Sequence, residues 1–347
     1  MGMRRRSGRS SRHSRRRLFA LAALAPLLIV SPPSRAADLV GHGAMVNAVA
    51  VSPDGARALT GSWDYSAILW DLPTGVRKAS FHEHAAGVTA VALLPDGKRG
   101  LTGSRDTAII LWDLESGRPL RRFEGHTGTV AGLAVAPDGR SFASAGWDSV
   151  IRVWDPESGA LLRTLEGHGA NVNAVAFTPD GGRLVSAGYD FQIRVWDSAT
   201  GQEKAVLEGH EGSVNGLALS PDGRLAATAS SDETVRLWDL ESGTLLRTLY
   251  GHTGFVTSVA FSPDGKTLLS GGGGDRRVRL WDAATGRSLA SFRGHEKPVL
   301  AVTFTPDGRS ALSAGYDAVV RHCDLSKADL DKADLDKPDD KAAGDRP

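Results

Sequence analysis

The chain repeats a histidine, a hydroxyl residue and an aspartate at fixed spacing, and nucleophilic catalysis is built from that combination. His168 is followed by Ser186, Asp190 and Trp196, and equivalent sets begin at His42, His84, His126, His210, His252 and His295. A serine activated by a histidine, itself oriented by an aspartate, is the constellation of acyl-transfer enzymes. Repetition counts against that chemistry here. An enzyme needs one active site, yet the set recurs in full in six copies, with Thr60, Thr102, Ser144, Thr228 and Ser270 as the other hydroxyls and Ser313 in the incomplete seventh.

Other chemistries find less support. Metal sites need clustered His, Cys, Asp or Glu; the nearest approach is His82 with His84, and His84 belongs to the repeated series. No glycine-rich phosphate loop precedes a helix, and no Cys-x-x-Cys-His is present to attach haem. Neither a metal nor a cofactor is expected. Cys323 is the only cysteine in 347 residues, so a disulfide scaffold is excluded. It could still form an intermolecular disulfide in an oxidising compartment.

Charge narrows the partners. The whole chain is nearly neutral, with 41 Lys and Arg against 40 Asp and Glu. Residues 1–36 hold nine of the arginines and no acid, so residues 37–347 carry 32 bases against 40 acids, a net charge of −8. An acidic body is poorly suited to gripping phosphate backbones, so nucleic acid is not expected as a partner. The apolar run Leu18–Val30 follows eight arginines and leads to small residues at Ser34 and Ala36, the pattern of an export signal cleaved after Ala36. Its 13 residues fall short of the roughly 20 that span a bilayer, so no stable membrane anchor is expected after cleavage. The segment Ser14-Arg15-Arg16-Arg17-Leu18-Phe19 leaves both the general and the twin-arginine export routes open. The body is expected to be periplasmic or secreted; an uncleaved N-terminus would instead make it cytosolic. Residues 325–347 repeat Ala-Asp-Leu-Asp-Lys, hold few apolar residues, and are expected to be disordered.

Elements that could position the repeated residues are themselves repeated. The seven histidines are 42 residues apart five times and 43 once, and Asp64, Asp106, Asp148, Asp190, Asp232, Asp275 and Asp317 follow in register. The extra residue falls beside Gly271–Gly274, where a turn can absorb it. Every copy carries Pro-Asp-Gly, as at Pro179-Asp180-Gly181, a hairpin signal in which proline presets φ and glycine accepts the left-handed position. Around it lie four short strand signals, in one copy 172–177, 183–187, 192–196 and 204–207, the third alternating Ile193 and Val195 with Arg194. No stretch has the length or period of a helix, so the body is expected to be all-β.

Units of this length, with Gly-His near the start and Trp-Asp at the end, resemble the WD-repeat β-propeller family. The dipeptides are Trp70-Asp71, Trp112-Asp113, Trp154-Asp155, Trp196-Asp197, Trp238-Asp239 and Trp281-Asp282, with Cys323-Asp324 in the seventh place; Glu83 replaces the glycine in one copy. The resemblance covers residues 39–324 and implies a seven-bladed propeller over 37–324, built of four-stranded antiparallel blades. It implies that histidine, hydroxyl, aspartate and tryptophan form a structural hydrogen-bonded network. It also implies a ring closed by the N-terminal strand: Leu39 is in phase with Phe81, Phe123, Leu165, Leu207, Leu249 and Phe292, so residues 37–40 should complete the blade of residues 299–323. So short a strand marks the seam as the place most prone to opening.

Positions that differ between copies are free to serve function. Directly before the turn aspartate the seven copies read Trp63, Arg105, Trp147, Tyr189, Ser231, Gly274 and Tyr316, four of them large aromatics in a chain that is 6% aromatic. In the family this position looks out from the narrower face, which should also receive Met45, Asn47, Asn171, Asn173, Asn215 and Phe255. Exposed Trp, Tyr and Arg dominate binding hot spots, and amides can meet the backbone of an extended peptide. The expected function is a non-enzymatic scaffold that holds a protein or peptide at Trp63, Arg105, Trp147, Tyr189 and Tyr316, flanked by Asn47, Asn173, Asn215 and Phe255. The alternative is a propeller enzyme or small-ligand carrier with its site at the channel mouth.

Overall fold

The structure, a computed structural model, describes residues 1–2 and 38–325. The expected export signal, beyond its first two residues, and the expected tail from residue 326 lie outside the described residues. From residue 38 on, the described chain forms twenty-eight strands in seven antiparallel sheets of four. In the first blade, β2 (Val46–Val51), β3 (Arg57–Ser62), β4 (Ala67–Asp71) and β5 (Val76–Phe81) are hydrogen-bonded in chain order. The first strands of successive blades lie side by side around the inside of the ring, and β26 (Val299–Phe304) returns to β2. The expected seven-bladed all-β propeller is the observed fold, with strand ends shifted by a residue or so.

Local chemistry explains the hairpins. In the fourth blade the N–H of Gly181 donates to Thr178 O at 2.8 Å, and Gly181 takes φ +71°, closing the turn around Pro179. Asp180 accepts from the Thr178 hydroxyl at 2.6 Å and from the N–H of Gly182 at 2.9 Å, which stiffens it.

The sheets are buried on both faces because the blades stack face to face. Each hydrophobic cluster joins two neighbours: Leu59, Leu69 and Phe81 of the first blade pack with Val88, Ile110 and Trp112 of the second. The approach is close enough to dictate size. A Cβ on Gly61 would stand 2.6 Å from Val88 Cγ1, so this point of the second strand must stay small where the next blade's valine seats on it.

The seam closes as expected. β1 (Leu39–Val40) pairs antiparallel with β28 (Val319–Asp324), Leu39 opposite Val320 and Val40 opposite Val319, outside β27 (Ser310–Gly315) and β26. Leu39 is buried in the cluster of Val46, Ile68, Trp70, Leu312 and Val320, which joins the first blade to the last. One boundary moves. Leu325, assigned to the tail from sequence, packs against the sixth-to-seventh blade cluster and donates its N–H to Arg309 O at 2.8 Å.

Candidate functional site

The apparent catalytic sets form a chain of hydrogen bonds that fixes each turn. In the fourth blade the indole N–H of Trp196 donates to Ser186 Oγ at 2.8 Å, the hydroxyl lies 2.7 Å from His168 Nε2, and His168 Nδ1 lies 2.7 Å from Asp190 Oδ2. The indole can only donate and the carboxylate only accept, so the hydroxyl oxygen accepts from Trp196 and His168 Nδ1 donates to Asp190. A serine whose oxygen already accepts from an indole, facing a buried imidazole, is not presented to a substrate. The same chain is made in blades one, two, three, five and six, with His Nε2 to hydroxyl distances of 2.7–2.8 Å. Ser313 reaches His295 at 2.8 Å but has Cys323 in place of the indole donor. Gly167 shows why glycine accompanies the tryptophan in most copies: its φ is +153°, and Trp196 Cη2 would sit 3.1 Å from a Cβ there. In the seventh blade the Arg321 side chain fills the equivalent space beside Gly294.

The aspartates are held ionised by this arrangement. Burial pushes the Asp64 carboxyl up, but the Ser66 hydroxyl, the Gly43 N–H and His42 together outweigh it and hold it at about 2. Burial likewise opposes, and the paired histidine and backbone N–H groups overcome, in Asp106, Asp148, Asp190, Asp232, Asp275 and Asp317, all below the usual carboxylate range. Burial pulls His42 below its usual value despite Asp64. A carboxyl depressed in the folded state adds stability above its unfolded pKa of about 3.9, and that contribution disappears as pH falls through the folded value. Neutral His42 adds a smaller loss beginning below about pH 6.5. The urea midpoint should therefore decline gently below neutrality and steeply between about pH 4 and 2. A midpoint independent of pH across that window would show that the turn aspartates do not hold the blades.

Each such turn presents one residue from a rigid base. The N–H groups of Trp63, Arg105, Trp147, Tyr189, Ser231 and Tyr316 donate to Met45, Gly87, Thr129, Asn171, Ser213 and Pro298 carbonyls at 2.8–3.0 Å. In the sixth blade the equivalent donor is Gly273, to Phe255 O at 2.8 Å, so Gly273 rather than Gly274 occupies the position and Gly274 is the inserted residue. A Cβ on Gly273 would lie 1.9 Å from the ring of Phe255, which covers the place a side chain would take.

The expected aromatics are exposed: Trp63 38%, Trp147 41%, Tyr189 43%, Phe255 43% and Tyr316 46%. They meet in pairs, two of these across blades. The guanidinium of Arg105 lies over the Trp63 ring at 4.5 Å, Trp147 and Tyr189 pack edge to face at 6.3 Å, and Lys297 Nζ is 5.7 Å from the Tyr316 ring centre. Sequence comparison missed Lys297 and also Tyr65 and Phe191, the exposed residues directly after Asp64 and Asp190. These two sit at φ +70° and +67°. Reading the copies one position further would have found them.

The amides are engaged within the ring. Asn47 Nδ2 donates to Val88 O at 3.4 Å, Asn173 to Val214 O at 3.0 Å and Asn215 to Val256 O at 2.8 Å, each crossing to the next blade. Thr89 and Thr257 make the same link to Val130 O and Val299 O. These donors tie the inner strands together. Asn173 Oδ1 additionally accepts from the Trp147 indole at 3.1 Å and so orients it.

Away from this face, a cleft of about 380 Å³ lies between the fourth and fifth blades. Its Arg183 donates to Leu240 O and pairs with Glu241, both at 2.9 Å, and its Lys204 pairs with Asp197 at 3.5 Å. The charged groups there bind one another. Among the described residues no group of three or more His, Cys, Asp or Glu is placed to hold a metal.

Comparison with known proteins follows the same repeat. One stretch of 40 residues is 55% identical to the small ribosomal subunit protein RACK1z of Oryza sativa subsp. japonica, covering 12% of this chain and 12% of that protein. The family model described as WD domain, G-beta repeat matches seven times in succession, at residues 34–71, 75–113, 117–155, 159–197, 201–239, 243–282 and 286–324. With the match in phase with all seven observed blades, the chain belongs to the WD40 family of repeat propellers.

Proposed function

We propose that the protein is a non-enzymatic interaction platform that binds a protein or peptide on the face bearing Trp63, Arg105, Trp147, Tyr189 and Tyr316. The observation that carries this reading is the pairing of exposed large side chains across blades on rigid turns. Such an array offers apolar area with polar edges at little cost in side-chain ordering. Phe255 extends it to the sixth blade. Asn47, Asn173 and Asn215 act as supports, Asn173 by holding Trp147. The aligned relative spans one repeat, too short to carry that protein's assembly to this chain.

The platform is further proposed to act outside the cytoplasm, on the strength of the basic, apolar and small-residue pattern that ends at Ala36. N-terminal sequencing of the protein from its native cell should find Ala37 first, and an intact residue 1 would overturn export.

The binding face is tested by affinity capture with the wild type beside a variant carrying Trp63→Ala, Trp147→Ala, Tyr189→Ala and Tyr316→Ala. All four side chains are exposed, so the fold should survive. Hot-spot losses above about 2 kcal/mol per residue should abolish retention of specific partners. Equal capture by both forms would place the binding surface elsewhere.

A further inference from the structure

We infer that the segment taken up by this face is acidic, its carboxylates meeting Arg105 and Lys297. The inference rests on the platform reading and names its partner. Lys297 and Tyr316 belong to the seventh blade, Trp63 to the first and Arg105 to the second, and these blades are consecutive because β26 lies beside β2. Around the face the Lys297–Tyr316 pair is thus followed by Trp63 with Arg105, and then by Trp147 and Tyr189.

Both cations are exposed, each lies against an aromatic ring, and neither makes an ion pair among the described residues. Several other arginines are engaged in ion pairs: Arg99 with Asp96 and Glu157, Arg152 with Asp148, Arg183 with Glu241. A guanidinium or ammonium resting on a ring is already partly dehydrated, so a carboxylate displaces less water in reaching it.

The acids nearby do not use up these charges. The carboxylates of Asp106, Asp148 and Asp317 have Arg122, Arg152 and Arg321 at 3.8, 2.7 and 3.9 Å, besides their histidines. Asp64 is bound by Ser66 and by the Gly43 N–H. Asp190 accepts from the N–H groups of Gly169 and Gln192. Glu83 and Glu296 stand on loops of the same side and pair with neither cation. In the fifth blade the pattern reverses, with Ser231 at the hot-spot position and exposed Glu211 and Glu233 beside it. The two cations thus lie on neighbouring blades, seven to two, away from the fifth blade and its acids. Two isolated cations suit a pair of carboxylates; a nucleic-acid backbone asks for a longer basic track, and residues 37–347 carry a net charge of −8.

Fluorescence anisotropy with labelled peptides of about ten residues tests this. One peptide alternates Glu with Phe, a second has Gln in place of Glu, a third has Lys, and an oligothymidylate of similar length is the fourth probe. The wild type should prefer the Glu peptide over the Gln peptide by about tenfold. The preference should shrink as salt rises from about 0.05 to about 0.5 M. Arg105→Gln with Lys297→Gln should bring that preference below about twofold. Equal affinity for the Glu and Gln peptides, lost on Trp147→Ala with Tyr189→Ala, would overturn the acidic partner and keep the platform. Tightest binding of oligothymidylate, or of the Lys peptide, would also overturn it. Failure of every probe to bind would remove both readings.

Discussion

Leu39→Ala should destabilise the protein more than the same change at any equivalent leucine, by about 5 kcal/mol against about 3 for Leu207→Ala. Both side chains are almost fully buried, at 1% and 2% exposure, so the cavity terms are comparable. They differ in what else holds the strand. Leu207 ends a five-residue strand, Glu203–Leu207, with four registered partners in the adjacent strand. Leu39 lies in a two-residue strand with two partners, supported by an exposed Asp38–Arg321 pair at 2.9 Å that contributes little in water. Its packing is therefore the main force holding β1 against β28. Chemical denaturation of the two variants gives the comparison, and hydrogen exchange locates it: amides of Val319 and Val320 should exchange faster in Leu39→Ala while those of the other blades do not. Equal losses, with no local rise in exchange, would mean that the ring has no weak seam.

Asp148→Ala should cost about 3–5 kcal/mol and disorganise the turn that presents Trp147 at the same time. Asp148 accepts from His126 Nδ1 at 3.0 Å, from the Thr127 N–H at 3.0 Å and from Arg152 at 2.7 Å. Its removal leaves a buried imidazole donor and a largely buried guanidinium without their acceptor. Asp148→Asn should cost less, because the amide oxygen still accepts one N–H while the amide nitrogen faces donors. Trp147 is the neighbouring residue and its N–H bond to Thr129 depends on the same turn. The fluorescence of Trp147, read against a Trp147→Phe background, should shift in Asp148→Ala and stay near wild type in Asp190→Ala. Identical shifts in both would show that each turn does not position its own residue.

The exposed aromatic arc depends on structural networks that are visible in the sequence as repeats. Blade number, the Pro-Asp-Gly hairpins and the in-phase Leu39 could be read because each is a local pattern copied seven times, so internal comparison separates fold from variation. Trp63, Arg105, Trp147, Tyr189 and Tyr316 stood out by the same comparison, and the structure places all five on exposed, doubly anchored turns.

What the copies do to one another was not legible. Asn47, Asn173 and Asn215 looked like free amides, yet their donors cross 41 residues to the next inner strand. Gly273 and Gly274 could not be ranked until Phe255 was seen lying over the first. Lys297 was silent in sequence because its partner ring belongs to a turn 19 residues later. Pattern along the chain determined seven sheets and their internal turns, since strand pairing and turn geometry are set by neighbours in sequence. The lateral approach of blade to blade decided which polar groups are already engaged, because side chains at that distance meet only after the ring has closed.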